Sequence, residues 1–312
     1  MNNQSYDDTL TWPEIVDIIL RENEAEDDKK FKEWLMSKEG IGYNFSFRMW
    51  RAAYNVYKKL NDDYDHFTVI VGREGKGKST LGLKFCAAVS PTFSLKHICF
   101  SMEDFIQGLR EAKPGDSFLL DEGALFLFSR EAMSDTNRIM LKIFSIMRAK
   151  NLHVCICIPN FFTIDSYVRD HRVNSLFFVN DRGKLTVYVD KAIRIISKEG
   201  SRFKQVLGIR VPHGTFFYAD FNSRFPVIND ITGESYRRFK AENIDRFLAE
   251  AEKEANDLVK TKSLITVAEY GKMISMERRT IIKNIEKGIL KGRRIGKKWF
   301  VDASEVGTDQ TA

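Results

Sequence analysis

The texture of apolar and polar positions changes twice along the chain. Through residue 65 the sequence is polar, with apolar side chains at helical spacing: Phe31, Trp34 and Leu35, then Trp50, Tyr54, Val56, Tyr57 and Leu60. That recurrence predicts amphipathic helices. Pro13, just after Trp12, suits the first turn of another helix. From His66 short apolar runs alternate with helical stretches. Residues 67–71, 97–100, 118–121, 154–158 and 175–179 read as strands, and residues 81–89 and 136–150 as helices. In the second helix Ile139, Met140, Ile143, Phe144 and Met147 recur at 3–4 spacing. Strands alternating with helices predict an α/β fold with a mainly parallel sheet.

After Asn180 the alternation stops. Asp181-Arg182-Gly183 reads as a turn between residues 176–179 and 185–189, and a second pair runs through 206–211 and 215–218 across Pro212-His213-Gly214. These predict an antiparallel appendage on the sheet. Residues 236–260 are charged and lack Gly and Pro, which predicts a long solvated helix acting as a spacer. The domain plan is a helical region at 1–65, a sheet domain at 66–235, a helical linker at 236–261 and a compact unit at 262–304, with a frayed end.

Charge sharpens this plan. The chain has 312 residues and a net charge of +6. Residues 262–301 hold eleven basic and three acidic residues, a net of +8, which leaves the rest at −2. A polyanion partner therefore belongs to the small C-terminal unit. No apolar run reaches the roughly 18 residues needed to span a bilayer. The first 30 residues hold nine acids, unlike a secretory leader. Cys86, Cys99, Cys155 and Cys157 form no CxxC pair, so buried free thiols in a cytoplasmic protein are expected. His66, His97, His153, His171 and His213 are scattered, and none supports a zinc site.

Candidate chemistry starts right after the first strand. Gly72-Arg-Glu-Gly75-Lys-Gly77-Lys78-Ser79-Thr80 fits a phosphate-binding loop between a strand and a helix. Glycines let backbone N–H groups close around a phosphate, and the following helix adds its positive N-terminus. Lys78 is expected to reach the β- and γ-phosphates of ATP, and the Ser79 hydroxyl to hold Mg²⁺. The strand at 118–121 ends in Asp121 and Glu122. Asp121 is expected to meet Mg²⁺ directly or through water, and Glu122 to polarise the attacking water as general base. Asn160, just past the strand at 154–158, either touches the γ-phosphate or the lytic water, or is an ordinary loop asparagine.

This order of loop, acidic strand end and polar-tipped strand resembles the P-loop ATPases with a RecA-like core that place an extra strand between the loop strand and the acidic strand. Within them residues 66–180 are most similar to the FtsK/HerA-like motors and related phage and plasmid ATPases, including the zonular-occludens-toxin-like proteins. Many such motors carry Gln at the strand tip, where this chain has Asn160 after Pro159. The resemblance implies ring-shaped homo-oligomers in which an arginine reaches the neighbour's γ-phosphate. Arg148 is the candidate, with Arg130 and Arg138 as alternatives, although for any one of them a solvated helix charge is the favoured reading.

In the C-terminal unit, Thr266 and Glu269 predict a capping box opening one helix. Residues 276–287 read as a second helix bearing Arg278, Arg279, Thr280 and Lys283, and residues 290–301 as a basic hairpin bent at Gly296. The unit resembles the excisionase and MerR-like winged helix-turn-helix. That resemblance implies a helix in the DNA major groove and Arg293, Arg294, Lys297 and Lys298 of the wing against phosphates. Trp299 is expected in the core. A basic module that binds protein is the other reading of the unit.

The function expected is an ATP-driven motor on DNA, in packaging, helicase or transfer work for a phage, virus or plasmid. A DNA-binding regulator or partition switch controlled by ATP, and a phage assembly ATPase, are the alternatives.

Overall fold

The run His66–Val71 is β-branched at four successive positions and forms strand β1, buried at every residue. Unbroken burial marks a strand covered on both faces. The structure, a computed structural model, describes residues 10–41, 47–121, 136–203, 215–217, 229–262 and 264–302. Around β1 lie β2 (Ile98–Cys99), β3 (Ser117–Leu120), β4 (His153–Ile158), β5 (Ser175–Asp181), β6 (Lys184–Val189) and β7 (Thr215–Phe217). They form one sheet in the order β2-β3-β4-β1-β5-β6-β7. The pairs among β2, β3, β4, β1 and β5 are parallel. The β5–β6 and β6–β7 pairs are antiparallel. The expected α/β fold and its antiparallel appendage are both present. β4 lies between β1 and β3, where the resemblance implied an inserted strand.

Register aligns the functional edge. His66 and Ser117 both pair with His153 at the start of their strands, and Val71 pairs with Ile158 at the other end. The C-terminal ends of β1, β3 and β4 therefore open on one edge, where ligands bind in open α/β sheets. Helix α4 (Lys78–Val89) leaves that edge directly after β1 and is almost wholly buried.

The N-terminal helices α1 (Trp12–Glu22), α2 (Lys29–Met36) and α3 (Phe47–Asn61) form a helical cap. Thr11 and Glu14 make a capping box at α1, with Pro13 in its first turn. Trp12, Trp34 and Trp50 pack edge to face, with ring centroids 5.7 and 6.0 Å apart. α3 lies against α4 and β1.

Helices α5 (Met102–Glu111), α6 (Thr136–Ala149), α7 (Ser166–His171) and α8 (Lys191–Phe203) connect the strands. α8 occupies a stretch with no element expected from the pattern. The expected strand at 206–211 lies outside the described residues, and β7 pairs with β6.

Helix α9 spans Gly233–Lys262, three residues earlier than the charge pattern suggests. Its first turn is not a solvated spacer: Tyr236 is 4% exposed. The chain divides into two compact units, Met1–Phe239 and Lys240–Ala312. The second unit contains β8 (Leu264–Thr266), α10 (Val267–Met273), α11 (Arg278–Glu286), β9 (Gly292–Ile295) and β10 (Lys298–Asp302). Its antiparallel sheet runs β8-β10-β9. Val267, Tyr270, Ile281, Ile285 and Val301 form its core, and Trp299 packs on them.

Candidate nucleotide-binding site

The loop after β1 is shaped by its glycines. A Cβ on Gly72 would stand 2.7 Å from the carbonyl oxygen of Val179 in β5, so only glycine lets the loop leave β1 this close to its neighbour. Gly77 has φ +92° and is the residue before α4. That left-handed turn swings the chain into the helix and presents its first N–H groups toward the sheet edge.

Lys78 opens α4 and is 5% exposed, its Nζ donating to the Arg73 carbonyl at 3.2 Å. Thr80 follows in the same first turn. The Ser79 hydroxyl donates to Asp121 Oδ1 at 2.9 Å. Asp121 is fully buried just past β3, and its N–H donates to the Cys99 carbonyl at 3.0 Å. The structure thus brings the loop serine and the strand-end aspartate into contact across 42 residues. Both offer hard oxygen donors, which suit Mg²⁺. Among the described residues no group of three His, Cys, Asp or Glu could hold a metal ion by itself. A Mg²⁺ that arrives with a nucleotide does not need one, because phosphates and waters fill most of its sphere.

Two contacts here have no counterpart in the sequence reading. The phenol of Tyr236, from the first turn of α9, donates to Asp121 Oδ2 at 2.7 Å. Burial and the adjacent Asp121 carboxylate both push its pKa up. The β5–β6 turn also grips the loop. Arg182 Nε donates to the Gly75 carbonyl at 3.1 Å, and Lys76 pairs with Asp181 at 2.6 Å. The Lys76 ammonium beside it lowers the Asp181 pKa. No local pattern announces either contact, since Tyr236 stands 115 residues from Asp121 and Arg182 stands 107 from Gly75.

No family model and no curated protein matches the sequence. Among solved structures the chain is similar to the N-terminal domain of zonular occludens toxin from Neisseria meningitidis. That likeness has 14% identity and a TM-score of 0.32, over 51% of this chain and 96% of the other. It is also similar to the genome packaging NTPase of Sulfolobus turreted icosahedral virus 2 in complex with AMPPCP. Here identity is 14% and the TM-score 0.30, over 54% of this chain and 98% of the other. A chain from the HORMA, CdnC and Trip13 complex of E. coli MS115-1 has 15% identity and a TM-score of 0.27, over 64% and 67%.

The remaining candidates divide by location. Asn160 is exposed two residues past β4, on the edge that carries the loop. Its side-chain oxygen accepts from the Phe162 N–H at 2.9 Å and caps the turn Phe161–Thr163. Arg148 lies in the last turn of α6, at the opposite edge of the sheet. Its guanidinium pairs with Asp63 at 3.5 Å and covers the Tyr64 ring at 5.5 Å, just before β1. It is not brought to the loop of its own chain. Glu122 and Arg130 lie outside the described residues, as does the side chain of Arg138.

The four cysteines are buried and unpaired. The thiols of Cys99 and Cys155 are pushed up by burial, and that of Cys157 by Cys155 and by burial. No described helix is long and apolar enough to cross a membrane.

In the second unit the Thr266 side chain accepts from the Glu269 N–H at 3.2 Å while the Glu269 carboxylate accepts from the Thr266 N–H at 3.1 Å. Ile281 and Ile285 point α11 into the core, which leaves Arg278, Arg279, Thr280 and Lys283 exposed. Arg293, Arg294, Lys297 and Lys298 are exposed on the β9–β10 hairpin, where Gly296 has φ +59°.

Proposed function

We propose that the chain is an ATP-hydrolysing, ring-forming motor that acts on DNA. The observation that carries the nucleotide part is the 2.9 Å bond between Ser79 and Asp121 beneath a glycine loop that opens a buried helix. The N–H groups of the loop and the N-terminus of α4 favour a phosphate chain. Lys78 exchanges the Arg73 carbonyl for phosphate oxygens and so brings a positive charge to the β- and γ-phosphates. Ser79 and Asp121 are the residues that would hold Mg²⁺, which when bound offsets charge on the transferred phosphoryl group. Glu122, the residue after Asp121, is assigned as the general base. Asn160 stands at the tip of the neighbouring strand and is assigned to the lytic water or the γ-phosphate. Arg148 faces away from its own loop, so an arginine-finger role for it requires a neighbouring subunit.

The DNA part is supported by the +8 charge of residues 262–301 and by its distribution. We read the unit as a winged helix-turn-helix. Four exposed polar side chains on α11 suit the major groove, and four cations on the hairpin suit phosphates.

ATPase turnover with and without duplex DNA, alongside sedimentation of the nucleotide-bound chain, tests the proposal. Turnover is expected to rise with DNA and the chain to sediment as a ring. Lys78→Ala is expected to abolish hydrolysis while DNA affinity persists. Hydrolysis indifferent to DNA refutes the motor and favours an ATP-controlled DNA-binding regulator. Absence of hydrolysis refutes both.

A further inference from the structure

Tyr236 sits on a strap that no loop or strand motif announces. Residues 229–239 are pinned along the β2 side of the sheet. Asn229 donates to the Pro91 and Phe93 carbonyls at 3.2 and 2.6 Å, and Asp230 accepts from the Leu95 N–H at 2.9 Å. Ile231 is fully buried, and Phe239 packs edge to face on Phe100, with centroids 5.7 Å apart. At the top of this strap the Tyr236 hydroxyl meets Asp121 Oδ2 and also interacts with Ser79.

We propose that Tyr236 is a positioning residue for the metal-holding pair Ser79–Asp121. The assignment rests on the nucleotide reading above. Asp121 is fully buried, so each carboxylate oxygen needs a donor. Ser79 supplies one on the loop side and Tyr236 the other on the strap side. Two directed bonds fix the rotation of the carboxylate and turn its loop-side oxygen toward Ser79. Hydrogen bonds to a ligating carboxylate orient it in this way, and their loss typically costs about 10–100-fold in metal affinity. Tyr236 is 4% exposed, so the hydroxyl cannot leave Asp121 unless the first turn of α9 undocks.

The test is binding of a fluorescent non-hydrolysable ATP analogue, titrated with Mg²⁺ from a metal-free start. Tyr236→Phe keeps the ring in its pocket and removes only the hydroxyl. It is expected to bind the analogue like the wild type in EDTA, while its Mg²⁺ midpoint rises about 10-fold or more. Phe239→Leu loosens the same strap without touching Asp121 and is expected to leave the midpoint unchanged. A Tyr236→Phe midpoint equal to or below the wild type overturns the assignment, as does an equal rise in Phe239→Leu. If the wild-type chain binds no analogue, or binds it without regard to Mg²⁺, the nucleotide reading falls and takes the assignment with it.

Discussion

His153 opens β4 at the edge of the sheet opposite the glycine loop, and the neutrality of its ring can be tested by pH. Its Nδ1 meets Ser117 Oγ in β3 at 3.0 Å, and its Nε2 meets Thr68 Oγ1 in β1 at 3.0 Å. One imidazole thus bridges the three strands whose far ends carry the loop, Asp121 and Asn160. The ring is fully buried, and burial holds its pKa down to about 3. In the unfolded chain it returns to about 6.5. Below that value the unfolded chain binds the extra proton and the folded chain does not. Stability from this group is therefore complete above about pH 6.5 and drains as pH falls toward 3. Integrated from pH 7 to pH 5, the loss is about 2 kcal/mol.

His153→Gln isolates that term. A glutamine amide can still bond both hydroxyls but does not titrate. We expect the variant to be less stable at pH 7 by about 1–2 kcal/mol, the cost of less favourable hydrogen bonds. Between pH 7 and pH 5 it should lose about 2 kcal/mol less than the wild type, measured by urea unfolding at each pH. His66, 5.9 Å from His153, is also pushed down by burial and drains stability in the same direction in both proteins. Asp116 adds its own loss only in more acid solution. Burial raises its pKa, but hydrogen bonds from His97, Thr92 and the Lys113 N–H outweigh this and hold it at about 2. Equal losses in wild type and variant between pH 7 and 5 would refute the neutral bridge.

Other perturbations probe the loop and the basic unit. Gly72→Ala forces a Cβ against the Val179 carbonyl. It should cost about 1–3 kcal/mol in urea unfolding and weaken ATP-analogue binding, because the loop must leave β5. Replacing Arg293, Arg294, Lys297 and Lys298 together with Ala should flatten the salt dependence of DNA binding. The slope of log K against log salt, read by fluorescence anisotropy, should fall by about 0.9 for each phosphate that the variant no longer neutralises. An unchanged slope removes the hairpin from the interface.

The strands were legible because each is a short apolar run bounded by polar or turn-forming residues. The glycine loop was legible because its chemistry needs fixed spacing between a strand and a helix. α8 escaped notice for a local reason. Its apolar residues Ile193 and Ile196 keep helical spacing, but Gly200 interrupts the pattern with a poor helix former. α9 shows the converse. Its charged composition reads as a solvated helix, and it starts early because the Thr232 hydroxyl accepts from the Ser235 N–H at 3.0 Å.

Average composition along α9 hides a residue whose environment differs. Tyr236 is surrounded in sequence by Ser235, Arg237, Arg238 and Lys240, yet its hydroxyl completes the shell of a buried carboxylate at the end of another element. The same limit explains the β5–β6 turn. Asp181, Arg182 and Gly183 read only as a bend, and they become part of the site because β5 lies beside β1 in parallel register. A motif defines the residues that touch a ligand at fixed spacing. The residues that hold those in place come from wherever the topology brings the chain back. In this protein both supports come from segments that follow the parallel core, the β5–β6 turn on one side of the loop and the strap leading into α9 on the other. Removing the Tyr236 hydroxyl or the Arg182 guanidinium should alter how tightly the proposed site holds metal or nucleotide while every motif residue stays intact.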